Sequence, residues 1–171
     1  MKKDQPVFPV KVSYNGRYFI DTTDNPFFWL GTTQWQIFRE YTLDEAKIIF
    51  EKIKSNGFSV VQTMLLGVGE PVHPNIYGEI PWLNNNPLTP NEAYFENVDS
   101  IVEMARENGL VISMTLYHQR FGEYMNPKRA RPWAKWIAQR YKNVLNIIWS
   151  MTPRANHCLL YTSPSPRDRQ K

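Results

Sequence analysis

Six side chains suited to binding chemistry stand in or just after apolar runs. Gln34 and Trp35 follow FFWLGTT, Gln62 sits inside FSVVQTML, Tyr117 and His118 follow LVISMTL, and Trp149 lies in VLNIIWS. An amide carries a donor and an acceptor together, which suits a hydroxyl-rich ligand. An indole or phenol ring is a flat apolar plate for the C–H face of such a ligand. A single Trp more often packs in a core, and for Trp149 that alternative is at least equal. His118 suits a hydrogen bond to a hydroxyl or the orientation of an acid; the plainer alternative is a structural histidine. Carboxylates are scarce at these places. Glu70, in the loop after the Gln62 run, is a weak candidate acid or base, because loop carboxylates are usually solvated. His73, in the same loop, is weaker still.

Other chemistries are excluded or disfavoured. The single cysteine is Cys158, so thiol catalysis, disulfides and cysteine metal sites are excluded upstream of it. Asn84, Asn85 and Asn86 lack the acidic partners of a calcium loop and read as turn formers, so no metal is expected. Gly31-Thr-Thr-Gln-Trp is not a dinucleotide fingerprint and no Walker pattern occurs. Lys128, Arg129, Arg131 and Lys135 cluster at a helix start and read as a solvated face; no nucleic-acid partner is expected. No stretch approaches the roughly 18 apolar residues of a membrane span. MKKDQPVFPV has a basic start but no apolar run after it, so it is not a secretory signal as written. The compartment stays open.

The elements follow from local patterns. Residues 12–21 read as a β-hairpin, with Asn15-Gly16 supplying the positive φ values of a type I′ turn. Residues 27–31, 58–65, 110–116 and 144–150 are apolar runs of buried-strand type. Residues 42–56 form a helix that opens on a Thr42/Glu45 capping box and buries Leu43, Ala46, Ile49, Phe50 and Ile53. Residues 92–108 form a second, with Phe95, Val98, Ile101, Val102 and Ala105 inward. Residues 128–141 form a third, with Trp133, Ile137 and Tyr141 inward. Strand and helix alternate, so the strands are parallel. Without a phosphate loop the pattern favours a (β/α)8 barrel over a nucleotide-binding sheet. Such a barrel takes about 250 residues, so four strands make its N-terminal half, preceded by the hairpin.

Residues 158–171, CLLYTSPSPRDRQK, resemble the translation of a DNA-library transposon adapter running into its index. The expectation is a native body of residues 1–157 cut mid-gene; the alternative is a genuine Ser/Pro-rich basic tail. Without the tail the net charge falls from +4 to +2. The expected division is therefore an N-terminal segment over 1–26, a partial barrel over 27–157 and a non-native tail over 158–171.

The motifs PNIYGEIPWLNNNPLTPNEAYFENVD (74–99), FFWLGTTQW (27–35), GFSVVQ (57–62) and NIIW (146–149) resemble the apiosidase-like glycoside hydrolase domain. The resemblance covers roughly residues 10–150. In many proteins this domain is followed by a small β-rich domain labelled collagen-binding. The resemblance implies a (β/α)8 glycosidase acting on polysaccharide side chains, apiose being one known substrate, without a cofactor. A retaining enzyme of this kind needs two carboxyl groups roughly 5–5.5 Å apart, carried at the carboxyl ends of strands. Two departures stand out. Thr32 takes the place of an Asp common in the family, and Arg154 takes the place of the expected acid/base Asp. The nucleophile is expected near a seventh strand, beyond this sequence. The alternative is a barrel of the same fold that binds glycans without cleaving them.

Overall fold

The computed structural model describes residues 6–70, 72–116 and 124–150. They form two sheets. A small antiparallel sheet holds β1 (Lys11–Val12), β2 (Phe19–Ile20) and β3 (Pro26–Phe27), in that order. A parallel sheet holds β4 (Gly31–Thr33), β5 (Val60–Met64), β6 (Val111–Thr115) and β7 (Ile147–Ser150), also in chain order. Helices α1 (Leu43–Ser55), α2 (Glu92–Glu107) and α3 (Pro127–Tyr141) occupy the three crossovers. A parallel sheet with a helix in each crossover is the α/β arrangement that the strand–helix alternation demands.

The helix ends are set locally. Thr42 accepts a hydrogen bond from the Glu45 backbone, and the Glu45 carboxylate accepts one from the Thr42 backbone at 2.8 Å. This reciprocal box satisfies two amide donors that the first turn leaves free. At the other end Gly57 takes φ +83°, a left-handed turn that glycine adopts without Cβ strain. Asn126 opens α3 by accepting from the backbones of Lys128 and Arg129, with Pro127 in the first turn.

The two faces of the parallel sheet differ. Val61 and Ile112 are register partners and lie in the main core with Phe50, Val98, Ile101 and Ile137 of the helices. On the opposite face Val60 and Val111 pair in register and form a second cluster with Phe27, against which Phe8, Val10, Phe19 and Ile148 pack. The small sheet thus closes the amino-terminal end of the face that the helices leave uncovered. β4 and β7 are the sheet's two edges.

Three expectations need correction. The first parallel strand is Gly31–Thr33 rather than residues 27–31. Phe28 is 76% exposed, and Trp29 and Leu30 are each 38% exposed, because the run bends from one sheet to the other and lies at an edge. The loop between β1 and β2 is not a two-residue type I′ turn. Gly16 has φ +72° but Asn15 is not in the positive-φ region. Gly16 donates to the Ser13 carbonyl and Ser13 to Tyr18, and the Asn15 side chain accepts from Ser13 and Arg17. An Asn side chain that caps its own turn in this way removes the need for a left-handed Asn. The fourth strand begins at Ile147, not 144, because the Val144 amide still bonds back to the Tyr141 carbonyl at the end of α3. Among the described residues no helix is long and apolar enough to cross a membrane.

Candidate functional site

Parallel strands aim the same end, and hence the same loops, at one rim. Above the apolar plug on the uncovered face, the next row of register partners is Thr33, Gln62, Ser113 and Ile148. The row after it is Met64, Thr115 and Ser150. The face therefore passes from valine and phenylalanine at its closed end to hydroxyls and an amide at its open end. Thr33 is exposed, and Gln62 and Ser113 are half-buried. Thr115 is buried, and its hydroxyl has no hydrogen-bond partner among the described residues. Such a row offers donors and acceptors to a hydroxyl-rich ligand.

Gln34 continues β4 by donating its backbone N–H to the Gln62 carbonyl at 2.9 Å, so these two candidates are neighbours. Trp35 follows, half-buried, at the same rim. Trp149 goes elsewhere. It shares a face with Ile147, and its ring meets Tyr141 of α3 edge-on at 6.0 Å. Strand alternation thus places it on the helix side, opposite the Gln62 row. Glu70 is exposed; its backbone carbonyl, not its carboxylate, makes the bonds seen there. His73 is exposed and its ring contacts the neighbouring Pro74 carbonyl. Tyr117, His118 and Arg154 lie outside the described residues. Thr32 pairs with Val61, which puts it in the helix-side row.

Two polar residues missed at the sequence level shape the rim. Arg39 is buried and gives one guanidinium nitrogen to three carbonyls of the β5 loop: Leu66 at 3.0 Å, Val68 at 3.3 Å and Glu70 at 3.2 Å. Gln36 grips the same loop from both sides, accepting from the Val68 backbone at 2.9 Å and donating to its carbonyl. The loop after β4 therefore holds the loop after β5. Gly67 makes the close approach possible: at φ +69°, a Cβ there would sit 2.2 Å from the Arg39 Cδ. Beneath this contact the buried Tyr94 hydroxyl donates to the Leu65 carbonyl, and burial pushes its pKa well above the usual phenol range. The only advance signal was a glycine between two apolar runs.

The long loop from residue 67 to 91 is a built element. Buried Asn75 accepts from the backbones of Tyr77 and Glu79. Buried Asn91 donates to the Glu79 carboxylate and the Ile80 carbonyl. Trp82 is fully buried, 5.4 Å from the Trp133 ring and 6.0 Å from the Tyr124 ring. Asn146 of the NIIW segment donates to the Val102 and Leu110 carbonyls and so fixes the start of β7. These motif residues are scaffold.

At the strand ends among the described residues the side chains are Thr, Gln, Met, Leu, Trp and Ser, and none is a carboxylate. No group of three metal-ligating side chains occurs among the described residues. Two clefts, of 590 and 480 Å³, lie at the opposite end, around Phe8 and Leu145 and around Phe28 and Lys54. Neither includes a residue of the Gln62 rim.

The comparisons with known proteins agree with this geometry. A protein described as "Glycoside hydrolase" matches with a TM-score of 0.74 and 30% identity, over 84% of this chain and 33% of that one. A glycoside hydrolase family 5 structure from Bacteroides vulgatus matches with a TM-score of 0.73 and 30% identity, over 84% of this chain and 32% of that one. The endo-1,4-beta-mannanase of Rhizomucor miehei shares the fold, with a TM-score of 0.60 at 20% identity, over 84% of this chain and 47% of that one. The chain thus spans about a third of the length of the first two structures. No curated protein matches it. The family model described as "Apiosidase-like, catalytic domain" matches residues 13–156, a range that takes in all four parallel strands. The chain belongs to the apiosidase-like catalytic-domain family.

Proposed function

We propose that this chain is the N-terminal, substrate-binding half of a (β/α)8 glycoside hydrolase that cleaves sugar residues from polysaccharide side chains. The observation that carries the reading is the family match over residues 13–156, which spans all four parallel strands and the polar row they build. Gln62, with Gln34 and Trp35 beside it, contacts the sugar hydroxyls and the ring face. Tyr117 and His118, which follow β6 in the sequence, are assigned to the same sugar-binding role. Glu70 is the weak candidate for an acid or base on this half. The reaction needs a proton donor to the leaving oxygen and a second carboxylate on the sugar carbon or on a water. At least one of that pair is supplied by strands that follow β7. Those strands pair with the open edges of β4 and β7 and close the barrel. No cofactor is required for this chemistry.

A second reading is a glycan-binding barrel without cleavage. Thr32 and Arg154, where the family commonly carries Asp, favour it. The register of Thr32 with Val61 weakens the first of these, because a carboxylate there points toward the helices. The test is to follow the source gene past the codon for His157, express its whole product and incubate it with apiose-bearing pectic polysaccharide and a panel of neutral glycans. Release of a monosaccharide supports the hydrolase. Glycan binding with no release by any substrate in the panel supports the binder.

A further inference from the structure

The loop after β5 ends in a finger whose tip the fold does not use. Trp82 bridges Pro90 in antiparallel fashion. The Leu83 N–H donates to the Thr89 carbonyl at 2.9 Å, and the Asn91 N–H donates to the Pro81 carbonyl at 2.9 Å. The Thr89 hydroxyl donates back to the Leu83 carbonyl at 2.7 Å. With Trp82 fully buried at its base, the finger is rigid. At its end the Asn86 N–H donates to the Leu83 carbonyl at 3.1 Å and closes a tight turn. Both central residues, Asn84 at φ +54° and Asn85 at φ +55°, are left-handed.

Asparagine tolerates this backbone, but glycine adopts it without strain and is the usual second residue of such a turn. The neighbouring asparagines use their side chains to hold the loop. Asn75 accepts from Tyr77 and Glu79, Asn86 accepts from Leu88, and Asn91 donates to Ile80. Asn84 and Asn85 are exposed, and their amides make no hydrogen bond among the described residues. Leu83 and Leu88 beside them are 48% and 49% exposed. Residues 81–90, PWLNNNPLTP, carry no charge. The tip therefore sets uncharged donors and acceptors beside apolar surface, which matches the hydroxyls and C–H faces of a sugar. Without a carboxylate it is a poor cation site.

The finger leaves the carboxyl end of β5, the end that carries the Gln62 row, and its buried Trp82 packs on Trp133 of α3. It stands beside the row rather than in it, where the rest of a polymer must pass while one sugar sits on Gln62. We infer that Asn84 and Asn85 form a subsite for the sugar on the far side of the cleaved bond, the one that keeps the leaving oxygen. This rests on the glycosidase reading and adds to it the contact that holds the polymer. A tip already fixed by the Leu83, Thr89 and Asn86 bonds has little order left to lose on binding.

The test is N84G/N85G in the whole gene product, because glycine keeps the left-handed turn and removes only the amides. L88S is a second, independent probe of the tip, and K47Q on the exposed side of α1 is the control. Each protein is assayed on the polysaccharide it cleaves and on the p-nitrophenyl glycoside of the sugar it releases, which has no sugar on the leaving side. N84G/N85G raises KM on the polysaccharide about tenfold and leaves kcat/KM on the aryl glycoside within about twofold of wild type. L88S shifts the polysaccharide KM in the same direction, and K47Q changes neither substrate. The unchanged aryl glycoside rate itself reports an intact fold. Equal losses on both substrates, or no change on the polysaccharide, overturn the inference and leave the hydrolase standing. If no glycan is cleaved, the hydrolase reading fails, and affinity electrophoresis in gels of neutral galactomannan or apiose-bearing pectic polysaccharide decides the finger. Retardation of the wild type that N84G/N85G loses supports glycan binding at the tip. No retardation, or equal retardation of the two, overturns it.

Discussion

Replacing Gly67 with Ala tests whether the contact between the loops after β4 and β5 is rigid. Two costs are built into the site. A residue with a Cβ at φ +69° pays about 1 kcal/mol for the left-handed backbone. The new methyl also falls 2.2 Å from the Arg39 Cδ, 2.4 Å from the Gln36 Oε1 and 2.7 Å from the Arg39 Nη1. Arg39 is 5% exposed and held by three carbonyls, so it cannot swing aside without losing bonds from a buried charge. Each such bond is worth about 1.5–3 kcal/mol. Losing one with the backbone strain gives a cost of about 2.5–4 kcal/mol. Gly57→Ala is the internal control. Its φ is +83° with nothing within 4 Å, so only the strain of about 1 kcal/mol applies. The assay is urea denaturation at fixed chain concentration, read by Trp fluorescence, because association would move the midpoint. Equal losses for the two variants would refute the claim that Arg39 holds this loop rigidly.

Other expectations follow from single contacts. Trp82→Ala removes a fully buried ring packed on Trp133 and costs about 3–5 kcal/mol by urea denaturation, although the residue lies in a loop. Arg140→Met breaks the α2–α3 clamp to Asp99 and Glu92. Because those carboxylates are part-exposed, the loss is about 1–2 kcal/mol and shrinks in high salt. Asp21 accepts from the Thr23 hydroxyl at 2.7 Å and from the backbones of Thr23 and Asn25, and these bonds hold its pKa at about 2 against an ordinary 3.8. A lowered carboxyl pKa stabilises the fold above its ordinary value, and that support is lost as pH falls through about 2. Asp21→Asn therefore weakens the protein at neutral pH and flattens its acid unfolding between about pH 4 and 2. With β4 and β7 as open edges, the 171-residue chain elutes from a sizing column as more than one copy. A sharp, concentration-independent melt of a monomer would count against that.

The helices were legible in the sequence because their signals are local. The Thr42/Glu45 box, the glycines at 57 and 109, and the apolar spacing of Phe95 through Ala105 each act within a few residues. The strands were legible in place but not in length, because edge strands such as β4 take their bounds from neighbours. Asn15 misled because a side chain that bonds its own turn and a left-handed Asn occur in the same Asn-Gly pair. The rim was half legible. Gln34 and Gln62 were singled out by their places after and inside apolar runs, and the structure makes them neighbours. Trp149 was chosen by the same rule but faces α3, since its side depends on one residue of register. Arg39 and Gln36 carried no signal, because their partners are backbone carbonyls some 30 positions away in sequence. The motif that names the family, from Asn75 to Asn91, is spent on shaping a loop.

The most direct test is the effect of Gln62→Ala on the whole gene product, measured as kcat/KM for glycan cleavage beside the melting temperature. Gln62 is half-buried in the polar row, and its side chain makes no hydrogen bond to another of the described residues. A fall of about tenfold or more in kcat/KM, with a melting temperature within a degree or two of wild type, is the expected result. Unchanged kcat/KM would contradict the placement of the sugar on this rim.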